Sequence, residues 1–478
     1  MTLIRSAAKD LGSGARVPRF LATLGMTVFL SCTSSAPEPE PVPVVTAIPV
    51  AAPPPRAETP PPATTAAPPV NRTPVTILDP GVRDRRVRDP GVRDAGDTEI
   101  RVLLSASPAG ARVASPGGLM FTGGDGGFIA RSGRNDAWRV EAAGRRVRLV
   151  GGGSATSWTD GPVYARAMGA ALLSVGGKPY RGDLAFFGGD SGVLVVNVVK
   201  IDDYLRGVVP LEIGTRSMDD SAAVQAQAVT ARSYAFIHLA NGRSRFYDVT
   251  AGVTDQVYGG VEVETPVASE AVESTRTLVL RYAGRVVNAP YSSTCGGSTA
   301  AASEVWRSND EPYLQPVSDQ IPGTSRYYCD IGARFRWTRT LEAATLNQAL
   351  AQYLANYTSV PNRTPGIARS MTVSSHTGSG RVGTLLISTD RGNFTLRGND
   401  IRYVLRPPGG EILNSTNFVI ESIAGADGSL ARVNIRGTGN GHGVGMCQWG
   451  AIGRARAGQD FRTILRTYYP GTTVGPAN

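Results

Sequence analysis

Between Glu99 and Lys200 glycine and proline cut the chain into short runs of valine, leucine and isoleucine, and at Met218 that punctuation stops. The runs "EIRVLLS", "ARVAS", "WRVEAAG", "RRVRLVGG" and "GVLVVNVVKID" have the length and β-branched content of strands. The stretch "DDSAAVQAQAVTARSYAFIHLANG" that follows reads as one helix, with Asp219 or Asp220 as its N-cap and Asn241-Gly242 as its stop. Its many alanines let another backbone come close. Helix also fits Leu341–Tyr357 and the segment from Asp460 to Pro470-Gly471. "RVVNAPYSS", "RSMTVSS", "GTLLIST" and "NFVIES" read as strands. Strands mixed irregularly with a few helices predict an α+β fold, mainly antiparallel. The glycines at 123–127 and 151–153 read as hairpin turns, since no Lys-Ser/Thr follows them as in a phosphate loop.

The N-terminal part is of another kind. From Ser34 to Pro74 the chain is Pro, Ala, Thr and Val, too poor in large apolar groups to offset its chain entropy, and reads as a disordered, extended tether. "DPGVRD" then occurs twice, at Asp79–Asp84 and Asp89–Asp94, as charged linker. Ahead of the tether, Arg5, Lys9, Arg16 and Arg19 precede the apolar run Phe20–Cys32, which has the length of a signal-peptide core rather than a bilayer span. Leu30-Ser31-Cys32 before a Thr-Ser-Ser spacer resembles a bacterial lipoprotein signal, which implies lipidation of Cys32. Cleavage by ordinary signal peptidase is the alternative. Either way the expected location is exported, periplasm or cell envelope, and lipidation of Cys32 implies membrane attachment through the lipid. The expected divisions are 1–31 signal, 32–98 linker, 99–184 a β-rich part and 185–475 a catalytic domain.

The 478 residues carry a formal net charge of +10, and only Lys9, Lys178 and Lys200 of the 49 cationic side chains are lysine. The basic balance permits an anionic polymer as partner and does not require one.

Two stretches carry candidate chemistry. In "DDYLRGVVPLEIG" (202–214), Glu212 is flanked by apolar residues, which should raise its pKa and suit it to a general acid; a solvent-exposed strand-end or helix-capping glutamate is the plainer reading. "GNGHGVGMCQWGA" (439–451) gathers five glycines, one of three histidines and one of four cysteines. By itself it suits a metal site, a phosphate cradle, a thiol protease or a sugar cleft.

"YLRGVVPLEIG" followed by "AAVQAQAVTARSYAF" resembles the SpoIID/LytB family of bacterial cell-wall proteins, and "TDQVYGG" (254–260), "YSSTCGG" (291–297), "HGVGMCQWGA" and "ILRTYYPGT" (464–472) extend the resemblance in order over roughly 185–475. Sporulation members are lytic transglycosylases that cut the MurNAc–GlcNAc bond of peptide-free glycan and leave a 1,6-anhydro-MurNAc end. The resemblance implies that Glu212 is the catalytic acid and then base. It implies His442, Gln448, Gln227, Arg232, Gln256, Tyr258 and Ser293 as substrate-binding residues, with the glycines letting a flat sugar chain lie on the backbone. Trp449 could stack on a sugar, though core packing is favoured. Peptidoglycan glycan is the implied partner, nucleic acid is not, and LytB-type members, described as enhancers of a cell-wall amidase, supply the alternative of a non-catalytic glycan binder. A structural wall-anchoring lipoprotein is a third reading.

Some sporulation members bind zinc through two cysteines and a histidine near the "YSSTCGG" block. Here that block offers Cys295 and no histidine. No cofactor is expected: in an exported protein a Cys295–Cys329 disulfide is favoured, leaving Cys447 free and buried, with zinc held by Cys295, Cys329, Cys447 and His442 as the alternative. A thiol protease lacks any local signature. His238 and His376 read as structural and as a loop residue.

Overall fold

The computed structural model describes residues 97–477 apart from 242, 243, 245 and 309. The signal, the tether and the anchor expected at Cys32 lie outside the described residues. The fold is α+β, with helices among largely antiparallel sheets.

The β-rich part builds two sheets, each of seven strands once Val249–Thr250 is counted in the first. Glu99–Ser107 pairs antiparallel with Gly192–Lys200, which pairs in turn with Asp183–Gly189. The second sheet runs through Ala111–Ala114, Ala137–Ala143 and Arg146–Gly151. Phe121, Trp138, Val140, Leu149 and Phe186 fill the core between them. The expected division at 184/185 falls inside the strand Asp183–Gly189, so the two parts share a sheet. The link goes further, because Val249–Thr250 adds to that same sheet, parallel to Glu99–Ser107.

From Lys200 the chain turns directly into helix α1, Ile201–Ile213, with Asp202 and Asp203 in its first turn, where the helix dipole favours acids. Helix α2, Ser221–Asn241, follows a 3₁₀ turn at Met218–Asp220, so Asp219 and Asp220 lie in that turn rather than capping the helix. Ala223, Ala226, Ala228, Ala231 and Ala235 are all buried, and the small side chains bring α1 and Pro266–Ser274 close against α2. Helix α3, Gln448–Arg456, packs on the same helix.

A separate core lies within 185–475. Strands Arg336–Glu342, Leu430–Thr438 and Phe418–Ala424 form one three-stranded sheet, and Ala368–His376, Val382–Thr389 and Gly392–Arg397 another. With the helix Ala343–Tyr353 they enclose Leu346, Leu350, Leu385, Ile387, Val433 and Ile435. Leu341 lies in the strand Arg336–Glu342 rather than starting the helix, and His376 ends a strand rather than lying in a loop. Among the described residues no helix is long and apolar enough to cross a membrane.

Candidate active site

Glu212 belongs to the last turn of α1, not to a strand end. At about 100° per residue, Ile201, Tyr204, Leu205, Val208 and Val209 share one side of this helix, and Glu212 falls in the middle of the same side. The helical phase therefore draws a carboxylate towards the core. Its neighbour Leu211 points outward, 41% exposed.

The Val257 N–H donates to Glu212 Oε1 at 2.9 Å, and the Tyr291 hydroxyl lies close to the same carboxyl. Burial raises the Glu212 pKa, against the opposing pull of Val257 and Tyr291, which favour the charged form. The negative end of the α1 dipole acts in the same direction as burial. Asp202 and Asp203 stand at the far end of the helix, about 15 Å away at 1.5 Å per residue. Asp202 is committed to Arg232, 2.9 Å away.

The surrounding side chains hold this geometry. Tyr204 donates to Gln256 Oε1 at 3.1 Å, and Gln256 Nε2 donates to the Tyr291 hydroxyl at 3.1 Å. Gln448 Nε2 donates to the Glu212 carbonyl at 3.0 Å and to Gln227 Oε1 at 3.2 Å. Gln227, Gln256, Tyr258 and Gln448 are buried, and Tyr258 donates to Asn197 Oδ1 at 2.8 Å. These side chains brace the site and do not offer a surface to a glycan, which corrects the substrate-binding roles expected for them. Arg232 needs the same correction: it is fully buried and donates to Asp202 and to the carbonyls of Val272, Thr275 and Leu278. Ser293 is half-buried beside Tyr291, and its carbonyl accepts from the Trp449 N–H at 3.0 Å.

The glycine-rich stretch meets Tyr291–Thr294. Tyr291–Ser292 and Met446–Cys447 pair as parallel strands. A Cβ on Gly445, whose φ is +70°, would meet the Pro290 carbonyl oxygen at 2.0 Å, and one on Gly443 would meet the Arg381 guanidinium at 2.2 Å. The glycines are needed where backbone packs on protein; that, not contact with a sugar, accounts for them. His442 Nε2 donates to the Tyr291 carbonyl at 2.8 Å, and its Nδ1 accepts from the Val444 N–H at 3.1 Å, which sets the neutral tautomer. Burial, with the Arg402 and Arg381 guanidiniums, pushes its pKa down to about 3. The ring also rests 4.9 Å from Trp306. His442 therefore orients Tyr291, and neither ring nitrogen is left for substrate or for Glu212. Trp449 is packed between the Arg216 guanidinium and Gly332. His238 bonds the Tyr234 carbonyl through Nδ1 and stacks on the Tyr234 ring.

Sequence reasoning missed Val257, Tyr291 and Tyr204. Each lies in a motif already singled out, but nothing local shows that one turns to the carboxylate. A cavity of about 1090 Å³ lined by Trp306, Tyr357, His376 and Arg397 includes neither Glu212 nor its partners. Cys295, Cys329 and Cys447 are free thiols; Cys295 and Cys329 have sulfurs 3.6 Å apart and form no disulfide.

Residues 189–282 match a family described as "Stage II sporulation protein", and residues 326–445 match a domain of unknown function. An uncharacterized protein of Brachyspira hyodysenteriae is 33% identical over 304 residues, 63% of this chain and 74% of that one. The stage II sporulation protein D of Bacillus subtilis is 28% identical over 299 residues, 59% of this chain and 76% of that one. The amidase enhancer of the same organism is 28% identical over 301 residues, covering 56% of this chain and 40% of the enhancer.

Proposed function

This chain belongs to the SpoIID/LytB family of bacterial cell-wall proteins, and on that premise we propose that it is an exported lytic transglycosylase acting on peptidoglycan glycan. The observation that carries the reading is Glu212: one half-buried carboxyl with a raised pKa, fixed by Val257 and approached by Tyr291. A protonated carboxyl suits the first step, donation of its proton to the glycosidic oxygen as the C1–O bond breaks. The carboxylate left behind then takes the proton of the MurNAc C6 hydroxyl, whose oxygen bonds to C1 and closes the 1,6-anhydro ring. The carboxyl ends as it began, and no water is consumed. One group acting twice accords with Asp202 and Asp203 lying at the other end of α1.

Export with a lipid on Cys32 and a 34–74 tether belongs to the same proposal. Intact-mass analysis of membrane-extracted protein tests it, and a mature N-terminus beyond Cys32 would refute it.

The test of activity is incubation of the full-length protein with intact and peptide-free sacculi, followed by mass spectrometry of the released fragments. Anhydro-ended fragments are expected. Reducing ends alone would mean a hydrolase. No release from either substrate, with sacculus binding retained, would favour a second reading, a glycan binder that stimulates a cell-wall amidase, which the similarity to the amidase enhancer supports.

A further inference from the structure

Four buried side chains from four separated segments converge beneath the glycine-rich stretch. Cys295 follows the strand Tyr291–Ser292, Asp319 lies in a loop, Cys329 sits in the 3₁₀ turn Tyr328–Ile331, and Cys447 ends the strand Met446–Cys447. All four are fully buried, and one ligand atom from each lies within 4.8 Å of the others. We propose that Cys295, Asp319, Cys329 and Cys447 bind one structural zinc ion.

The distances fit. Zinc–sulfur bonds of about 2.3 Å in a tetrahedron put sulfurs about 3.8 Å apart. Cys295 Sγ is 3.6 Å from Cys329 Sγ and 3.8 Å from Asp319 Oδ2. The outer contacts fit as well. Asp319 Oδ1 accepts from Tyr468 at 2.7 Å and from Arg454 Nε at 3.2 Å, which leaves Oδ2 to face the thiols. Cys447 Sγ accepts from the N–H groups of Cys295 and Gly450 at 3.1 and 3.3 Å, as a thiolate ligand does.

Charge gives an independent reason. Arg381 is buried, donates through Nη2 to the Cys295 and Ser298 carbonyls, and has no hydrogen-bond partner at Nε or Nη1. A buried cation needs a counter-charge. Zinc with three thiolates and one carboxylate carries a net charge of −2, which Arg381 and Arg454 neutralise. Glu304 offers part of that counter-charge, and metal-bound thiolates at Cys295, Cys329 and Cys447 would supply more beside the guanidinium.

Three thiolates and one carboxylate in a closed, dry set suit zinc and leave no position for a reacting water, so the ion is structural. The set is not the one expected from sequence. His442 is excluded because both its nitrogens are bonded to backbone groups, and Asp319 takes the fourth place. The ion would tie the entry to the 336–438 unit, through Cys329, to Cys447 and so to Gln448, the residue that braces Glu212.

The experiment uses the full-length protein purified without chelator. Metal content is measured by mass spectrometry, and alkylation is mapped by peptide at Cys295, Cys329 and Cys447, which keeps Cys32 out of the count. About one zinc per chain is expected, with the three thiols protected until a strong chelator is added and a melting temperature that falls on chelation and recovers with zinc. Cys329→Ser and Asp319→Asn should lower zinc content. If these variants do not fold, cobalt exchanged into the wild type should show thiolate-to-metal charge transfer and tetrahedral visible bands. Metal-free wild type, either with a Cys295–Cys329 disulfide or with three thiols open to alkylation, would overturn the proposal, as would a cobalt spectrum without thiolate bands. None of these readouts depends on glycan cleavage, so the proposal stands or falls apart from the proposed activity.

Discussion

Gln448 Nε2 donates to the backbone carbonyl of Glu212 at 3.0 Å across 236 residues of chain. This bond joins the end of the glycine-rich stretch to the last turn of α1. It places the carboxyl against Val257 and Tyr291, which come from two further blocks.

Glu212→Gln keeps the shape and the acceptor for Val257 but cannot transfer a proton. Release of anhydro-ended fragments should fall by a factor of roughly 10² to 10⁴ while the far-ultraviolet circular dichroism is unchanged. A variant with wild-type rates would remove Glu212 from the chemistry.

The same substitution has a pH signature in stability. The folded-state pKa of Glu212 is raised above its ordinary 4.5, so the folded protein holds this proton more tightly than the unfolded chain does. The stability it contributes is complete below about 4.5 and is lost as pH rises through the folded value. Glu212→Gln should therefore gain in stability relative to wild type as pH rises from 4.5. Denaturant midpoints at several pH values check this, and a constant difference across the range would contradict the burial argument.

His442 behaves in the opposite sense. Its folded pKa is lowered from 6.5 to about 3, so it stays neutral while the unfolded chain takes up a proton. Stability should be lost as pH falls from about 6.5 towards 3, with this group contributing a slope of about 1.4 kcal/mol per pH unit. His442→Gln should flatten that slope. His442→Ala should also lower glycan cleavage by about 10²-fold through a displaced Tyr291. A full-rate alanine variant would show that Tyr291 keeps its place unaided.

Gly445→Ala and Gly458→Ala test the packing explanation of the glycines. Both residues have positive φ, but a Cβ at 445 meets the Pro290 carbonyl while one at 458 meets open space. The left-handed backbone alone costs roughly 1–2 kcal/mol, expected at 458. At 445 the overlap should add roughly 1–3 kcal/mol more. Thermal melts of the pair decide, and equal losses would count against the close approach.

Arg232→Ala should cost stability and spare recognition. Removing one partner of a buried ion pair typically costs about 3–5 kcal/mol, and Asp202 would lose Arg232 at 2.9 Å and keep the more distant Arg276 at 4.0 Å. The folded fraction should bind sacculi as wild type does. Selective loss of binding without loss of stability would restore Arg232 to the substrate surface.

Local periodicity is written in the chain, and it suffices for much of what was legible. The switch from punctuated β runs to the block at 221–241 specifies α+β; α1 is not among the helices read from sequence, and only within that helix does the spacing of Ile201, Tyr204, Leu205, Val208 and Val209 turn Glu212 inward. Side chains of one helix or strand share a face because of geometry that needs only near neighbours. Partner choice needs contacts that close long loops, and no local pattern encodes them. Gln227, Arg232, Gln256 and Tyr258 lie in blocks that suggested a site, yet only tertiary packing shows that they are spent on protein partners. The second core at 336–438 and the meeting of Asp319 with Cys295, Cys329 and Cys447 were hidden for the same reason. Those ligands stand up to 152 residues apart in the chain and become neighbours only when the sheets and helices between them have closed.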